Sequence, residues 1–316
     1  MNIDHIIILT SEPKSVFLEI LFKYLKTINY NVKKKKITLI GNSNLILKEI
    51  KRNNYKVQLN EIFNIIDAKK NKINLINIPW DFKKKNFDST SYIAESFSKS
   101  LSILKKNKNA ILLNGPINKK SFLKKKYFGI TEYLAEKTNS KNPVMLIYNK
   151  KLSVSPITTH LPIGHVAKNI NKKKIIFNIR SINNFYKKYL KIKPSIAILG
   201  LNPHCETIEK YSEEQRHILP AIKELRRRKI FVKGPFSADT FFIKKNIKEY
   251  DVVIGMYHDQ VLTPLKTLFN FDAINVTIGL PFIRVSPDHG PNAEMFGKNK
   301  SDPSSIFCAM DFFSKI

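Results

Sequence analysis

Short aliphatic runs recur along this chain, and most are followed by a stretch whose apolar residues fall three and four apart. The runs occupy residues 6–9, 37–40, 74–78, 110–113, 144–148, 152–157, 196–199, 252–256 and 273–277. Helical spacing marks residues 15–25, 44–51, 91–104, 162–186, 212–228, 259–269 and 301–313. The 162–186 stretch is long for one helix. Strands without a polar face must be covered on both sides, and alternation with helices achieves that. The pattern predicts an α/β fold with a largely parallel sheet between helices. No internal repeat or long linker appears, so the 316 residues are expected to form two lobes rather than separate modules.

Composition matters here mainly for what it excludes. The net charge of +30 invites a nucleic-acid reading, because neutralising phosphates takes clustered Lys and Arg. Yet the excess is mostly lysine, scattered over runs at 33–36, 83–85, 124–126 and 172–174 with no aromatic residues interleaved. A genome rich in A and T, whose codons favour Lys, Asn and Ile, accounts for it without a nucleic-acid partner. No apolar stretch approaches the ~20 residues that span a bilayer, so no membrane partner is expected. Two cysteines, Cys205 and Cys308, make no disulfide framework, and with no secretory signal visible a cytoplasmic location is expected.

Candidate chemistry gathers where strands end. His160 in TTH, His204 in NPH and His258 in YHDQ each follow an apolar run, and the carboxyl ends of strands are where open α/β sheets bind ligands. One such histidine alone reads as an ordinary loop residue. Three neutral imidazoles converging from three strand ends would make a divalent-metal site with open positions. The densest stretch runs from residue 251 to 298. His258 and Asp259 stand at a helix start there, Lys266 follows eight residues later, and Asn275 lies at or beyond a strand end. Arg284 is expected in a Pro-bounded loop. Lys, Asn and Arg brought together would cradle a phosphate or carboxylate, Arg as a planar fork and Lys as a point charge.

These segments carry a resemblance. YHDQ, NVTIGLPFIR and SPDHG, with TTHLPI, LNPH and GPFSADTFF upstream, resemble the 4-hydroxythreonine-4-phosphate dehydrogenase family of pyridoxal phosphate biosynthesis. NGPINKKSF and ITEYLAEKT are similar to two further segments of that family, so the match runs from about residue 114 to the C-terminus. The resemblance implies a two-lobed fold like the isocitrate and isopropylmalate dehydrogenases, with the active-site cleft between lobes. Lobe A would comprise 1–128 plus 272–316, and lobe B 129–271. The implied reaction is oxidative decarboxylation of 4-phosphooxy-L-threonine with NAD or NADP and a divalent metal (zinc, magnesium or cobalt), in a homodimer. His160, His204 and His258 match the metal ligands, with His258 given across the dimer interface. Thr131, Lys266, Asn275 and Arg284 match substrate-binding positions, and Asp239 and Asp259 match acidic positions near the metal. The turn at His289, Gly290 and Asn292 resembles a cofactor-contacting loop.

The chain also departs from the family pattern. Ile130 stands where the family has a substrate-binding histidine, which removes a contact worth about 1.5–3 kcal/mol to a charged group. Residues 205–209, Pro291-Asn292 and the segment 10–19 lack the family's small or glycine-rich sequences. A relative acting on another phosphorylated hydroxy-acid, or a decayed homologue without catalysis, are the alternatives these departures raise. Elsewhere, His5 reads as a surface residue and Cys205 as a small buried apolar one. The phenylalanines and Trp80 are expected to pack the core.

Overall fold

The computed structural model describes residues 3–27, 35–82, 89–123, 126–205 and 211–316. Lysines 33–34, 83–85 and 124–125, and residues 206–209 of the altered loop, lie outside that set. The chain forms two compact units, Met1–Ser140 with Leu280–Ile316, and Lys141–Gly279. These joins differ from the expected lobes at both ends, because residues 130–137 cluster with the first unit and residues 274–278 with the second.

The first unit opens with β1 (His5–Leu9), α1 (Phe17–Lys26), β2 (Lys36–Gly41) and α2 (Ser43–Arg52). It continues through β3 (Leu59–Glu61), β4 (Ile73–Asn77), α3 (Ser89–Lys106), β5 (Ala110–Asn114), α4 (Lys119–Leu123) and α5 (Ile130–Lys137). The second unit holds β6 (Val144–Tyr148), β7 (Ser153–Thr158), α6 (Lys172–Phe185), β8 (Ile196–Leu199) and α7 (Leu219–Arg227). There follow β9 (Val232–Phe236), α8 (Ala238–Phe241), α9 (Lys244–Ile247), β10 (Val252–Tyr257), α10 (His258–Phe269) and β11 (Ile274–Ile278). The chain then returns to the first unit as β12 (Arg284–Pro287) and α11 (Ser304–Lys315).

The first unit's strands lie in the order β3-β4-β2-β1-β5-β12 and all run parallel. Central β1 is buried along its whole length, which is why its sequence, HIIIL, has no alternation. The second unit's order is β11-β6-β7-β10-β8-β9, with antiparallel pairing at β11–β6 and β6–β7 and parallel pairing elsewhere. The expected parallel sheet therefore holds in the first unit and becomes mixed in the second. Each unit has its own core. Ile7, Leu112, Tyr92, Phe97 and Leu134 pack the first, and Val154, Leu199, Val253, Phe241 and Leu265 the second.

Several expectations are corrected. The long 162–186 stretch is broken, as its length allows, into two short turns, Ile163–His165 and Ala167–Asn169, followed by α6, whose start is capped by Asn171 accepting from the Lys174 amide. The 212–228 helix begins as a π-turn over Glu214–Ile218 before α7, where Pro220 lacks the N–H that would continue a regular ladder. Arg284 lies in strand β12 rather than a loop, and Asn275 lies inside β11 rather than at its end. His5 is buried in β1, with Nε2 2.7 Å from Thr38 Oγ1. Burial, with Lys36 adding to it, lowers its pKa to about 4. Not all phenylalanines are core residues: Phe63 is 87% exposed, and Phe128, Phe231 and Phe271 also face solvent. Among the described residues, no helix is long and apolar enough to cross a membrane.

Candidate active site

Three neighbouring parallel strands of the second unit, β7, β10 and β8, deliver the three candidate histidines at one edge. His160 follows β7 by two residues, and His258 is the first residue of α10 directly after β10. His204 sits five residues beyond β8, in the turn Pro203–Cys205. Its backbone is left-handed at φ 57°, as is that of Cys205 at φ 58°. Consecutive positive φ values in non-glycine residues are costly and persist only where surrounding contacts fix them. Cys205 is half-exposed, so it is not the buried apolar residue expected from sequence.

Two of the three imidazoles are neighbours within the chain. The rings of His160 and His258 lie 5.9 Å apart between centroids. His258 Nδ1 lies 2.6 Å from Asp259 Oδ1. A carboxylate acceptor there fixes the proton on Nδ1 and leaves Nε2 as the donor atom for a metal. On the far side, His204 Nδ1 is 3.9 Å from Asp239 Oδ2. Asp239 Oδ1 accepts from Ser237 Oγ at 2.6 Å and from the Thr240 amide at 2.9 Å. The Ser237 hydroxyl is the main reason its carboxyl is held below the usual range. Among the described residues of one chain, no three His, Cys, Asp or Glu groups draw close enough to hold a metal by themselves. The donor set fits a divalent cation, and one chain does not enclose it.

Lys266 and Asn275 are not brought to this edge within the chain. Asn275 shares a row with Ile147, Val154 and Val253, four residues or roughly 13 Å before Thr158 at the end of β7. Lys266 is eight residues along α10 from His258, about 12 Å. Its side chain is exposed, whereas Asn275 Oδ1 is buried with no hydrogen-bond partner among the described residues. Pro264 interrupts the ladder of α10 between His258 and Lys266.

The remaining candidates belong to the first unit. Thr131, in the first turn of α5, is buried, and the preceding Ile130 packs against the apolar cluster. Arg284 is 1% exposed, and its Nε donates to Asn114 Oδ1 at 2.6 Å. Burial lowers its pKa to about 9, with Glu132 supplying a stabilising charge. After β12, His289 Nδ1 donates to the Gly290 carbonyl at 2.8 Å, and its Nε2 is buried with no hydrogen-bond partner among the described residues. Burial is the main cause of its lowered pKa. Asn292 is left-handed at φ 50°, and the Pro291 carbonyl accepts from the Val16 amide. An orphaned acceptor in this turn fits a ligand that offers a hydroxyl or amide N–H.

The sequence did not single out Asn114, Thr158, Glu214 or Gln260, whose partners lie up to 170 residues away. Asn114, Thr158 and Gln260 lie within quoted motifs, NGPINKKSF, TTHLPI and YHDQ, and Glu214 lies within none.

The fold places the chain in a class first. Isocitrate dehydrogenase from Methylococcus capsulatus superposes with a TM-score of 0.52 at 11% identity, over 98% of this chain and 84% of that one. The architecture is therefore the α/β fold of the isocitrate dehydrogenase type. The family follows from closer comparisons. The sequence pattern described as "Pyridoxal phosphate biosynthetic protein PdxA" matches residues 33–313, and the chain belongs to that family. A 4-hydroxythreonine-4-phosphate dehydrogenase from Sulfurihydrogenibium sp. (strain YO3AOP1) is 38% identical over 314 residues, covering 95% of this chain and 94% of the relative. The crystal structure of a 4-hydroxythreonine-4-phosphate dehydrogenase from Burkholderia phymatum has a TM-score of 0.81 at 26% identity, over 100% of this chain and 98% of that one.

Proposed function

We propose that the protein is a metal-dependent dehydrogenase of pyridoxal 5'-phosphate biosynthesis. It oxidises 4-phosphooxy-L-threonine with NAD or NADP and releases carbon dioxide to leave 3-amino-2-oxopropyl phosphate. The observation that carries this reading is the delivery of three imidazoles to one edge by three adjacent parallel strands. His160 and His204 of one chain, with His258 given across the dimer interface, would hold a divalent cation, whether zinc, magnesium or cobalt. Such an ion would supply Lewis acidity to the substrate hydroxyl and to the carbonyl it becomes, while the dinucleotide takes the hydride.

The chain's own groups have separable tasks. Asp259 holds the His258 ring in the tautomer that presents Nε2. Asp239 has one oxygen occupied by Ser237 and Thr240, which leaves Oδ2 on the His204 side to accept the hydroxyl proton. Thr131, Lys266, Asn275 and Arg284 are assigned to the substrate by the motif match, and His289 Nε2 to a hydrogen bond from the cofactor. The active enzyme is a homodimer in this reading. What supports it is that one chain keeps Lys266 and Asn275 roughly two helical turns away from its own imidazoles. The two cysteines, neither in a disulfide, fit a cytoplasmic enzyme.

A second reading rests on Ile130, whose side chain is taken up by the apolar cluster and offers nothing to a phosphate. Under that reading the substrate is another phosphorylated hydroxy-acid. The test supplies purified protein with 4-phosphooxy-L-threonine, NAD and a divalent cation, and follows NADH. Turnover that His160→Ala abolishes supports the first reading. Absent turnover, together with a His160→Ala variant that retains wild-type metal content, overturns it. Turnover with a different phosphorylated hydroxy-acid alone selects the second.

A further inference from the structure

Between β12 and α11 the chain runs through residues 288–303 with no strand and only one short turn, Ala293–Met295. The sheet therefore does not set the shape of this segment, although it carries the turn at His289, Gly290 and Asn292. Side chains of α1 and α2 do.

One face of α1 closes the segment into a loop. At the start of that helix the Val16 amide donates to the Pro291 carbonyl at 3.1 Å. One turn further on, Glu19 Oε1 accepts from the Ser301 amide at 2.7 Å. One turn beyond that, Lys23 Nζ donates to Glu19 Oε1 at 2.9 Å, to the Ser301 carbonyl at 2.8 Å and to the Asn299 carbonyl at 3.1 Å. An ammonium has three donors, and all of them are engaged here. Residues 291 and 301 are thus pinned to neighbouring turns of one helix, so the stretch between them is an Ω-type loop with its ends held together.

The second helix seats the middle of that loop. The Arg52 guanidinium carbon lies 5.0 Å from the centre of the Phe296 ring, and Arg52 Nη1 donates to Glu49 Oε2 at 3.0 Å. Gly297, at φ 80°, brings the backbone close to the same guanidinium, where a Cβ would come within 3.0 Å of Nη1. Just past α2, the Tyr55 hydroxyl donates to Asn299 Oδ1 at 3.4 Å. Glu19 is 2% exposed and Glu49 4%. Burying carboxylates is costly unless cations and N–H groups answer them, and here the cations that answer them also grip the loop.

The segment held in this way offers a ligand a polar atom with no other use. His289 Nε2 is buried with no hydrogen-bond partner among the described residues. A turn already locked in one conformation binds without first losing conformational freedom.

We propose that Glu19, Lys23 and Arg52 are positioning residues for the dinucleotide, which hold the turn over residues 289–297 in the shape that receives it and so set its affinity. This rests on the assignment of that turn to NAD or NADP above. The three act through the loop and not through a contact with the cofactor.

The test is fluorescence titration of the full-length protein with NADH and NADPH, following whichever the wild type binds more tightly, beside steady-state KM and kcat for the oxidised form. Lys23→Met keeps the length of the side chain but loses three donors, and Glu19→Leu leaves the Ser301 amide without its acceptor. Each is expected to weaken dinucleotide binding and raise its KM about tenfold, with kcat at saturation within about twofold of wild type. Arg52→Leu releases only the middle of the loop and should cost about threefold. Glu19→Gln keeps the acceptor and should restore most of the affinity that Glu19→Leu loses. If a variant at 19 or 23 does not fold, Arg52→Leu carries the test. Ser96→Ala, in a buried position of α3, is the control for general destabilisation and should leave dinucleotide affinity unchanged. Wild-type affinity in folded Lys23→Met, Glu19→Leu and Arg52→Leu, with His289→Ala losing the dinucleotide, would overturn the proposal and leave the cofactor assignment intact. Equal affinity in wild type and His289→Ala, or a wild type that binds neither dinucleotide, would remove both.

Discussion

Both units present the carboxyl ends of parallel strands, yet they use them differently. In the first unit the terminal side chains are absorbed by the fold. Asn42 caps α2 and donates to the Ile78 carbonyl, Asn77 accepts from the Ser43 amide, and Asn114 holds buried Arg284. In the second unit the same positions carry imidazoles, and the supporting hydrogen bonds come from residues set behind them, Thr158, Gln260 and Glu214. Short amides at strand ends close the sheet upon itself. In the second unit those supporting hydrogen bonds fix the backbone beside the histidines and not the imidazoles themselves.

The comparison can be broken in a definite order. The largest effect should come from His204→Ala, with a loss in kcat/KM of about 10³-fold or more, since a metal's charge stabilisation is worth several kcal/mol. Steady-state kinetics with saturating divalent ion measures it, and near-wild-type activity would show that the second unit's edge is not the reaction centre. Next is the pH dependence of His5. Its folded pKa, about 4, lies below the unfolded value of 6.5. The unfolded chain therefore binds the proton first, and the stability this buried neutral ring contributes is complete above pH 6.5 and is lost as pH falls to about 4. The loss is on the order of 3 kcal/mol. Urea denaturation at pH 7 and pH 4.5 should show it, and His5→Gln, which retains a partner for Thr38, should flatten the profile.

Asn114→Ala should lower stability by about 1–3 kcal/mol, because a buried guanidinium loses an acceptor. His160→Ala should stay within about 1 kcal/mol in metal-free protein. Equal denaturation midpoints for the two variants would erase the contrast between the units. The smallest effect concerns Ile130→His, expected to lower KM for the phosphorylated substrate about tenfold, as one charged contact allows. An unchanged KM would favour a substrate other than 4-phosphooxy-L-threonine.

Much of the fold was legible because buried parallel strands are written as unbroken aliphatic runs. HIIIL, AILLN and VVIGMY could be read directly. β3, β9 and β12 could not, since LNE, VKGPF and RVSP mix polar and turn-forming residues and owe their conformation to a paired neighbour. His5 read as a surface residue because a single sequence does not reveal that strands flank β1 on both sides. The histidines were legible by position, each just beyond a strand. Glu214 and Gln260 were not, because a charged residue near a helix start and an amide in a first turn look ordinary until a partner 60 residues away is known.

Pro264 gives α10 a mechanical property. Lacking an N–H, it cannot bond the carbonyl of Gln260, so the turn that carries His258 and Gln260 is joined to the rest of the helix by one rung fewer. Breathing of the helix from its Lys266 end can stop at that missing rung. The half of α10 that bears Lys266 is thereby able to yield while the half that bears His258 stays registered on the sheet.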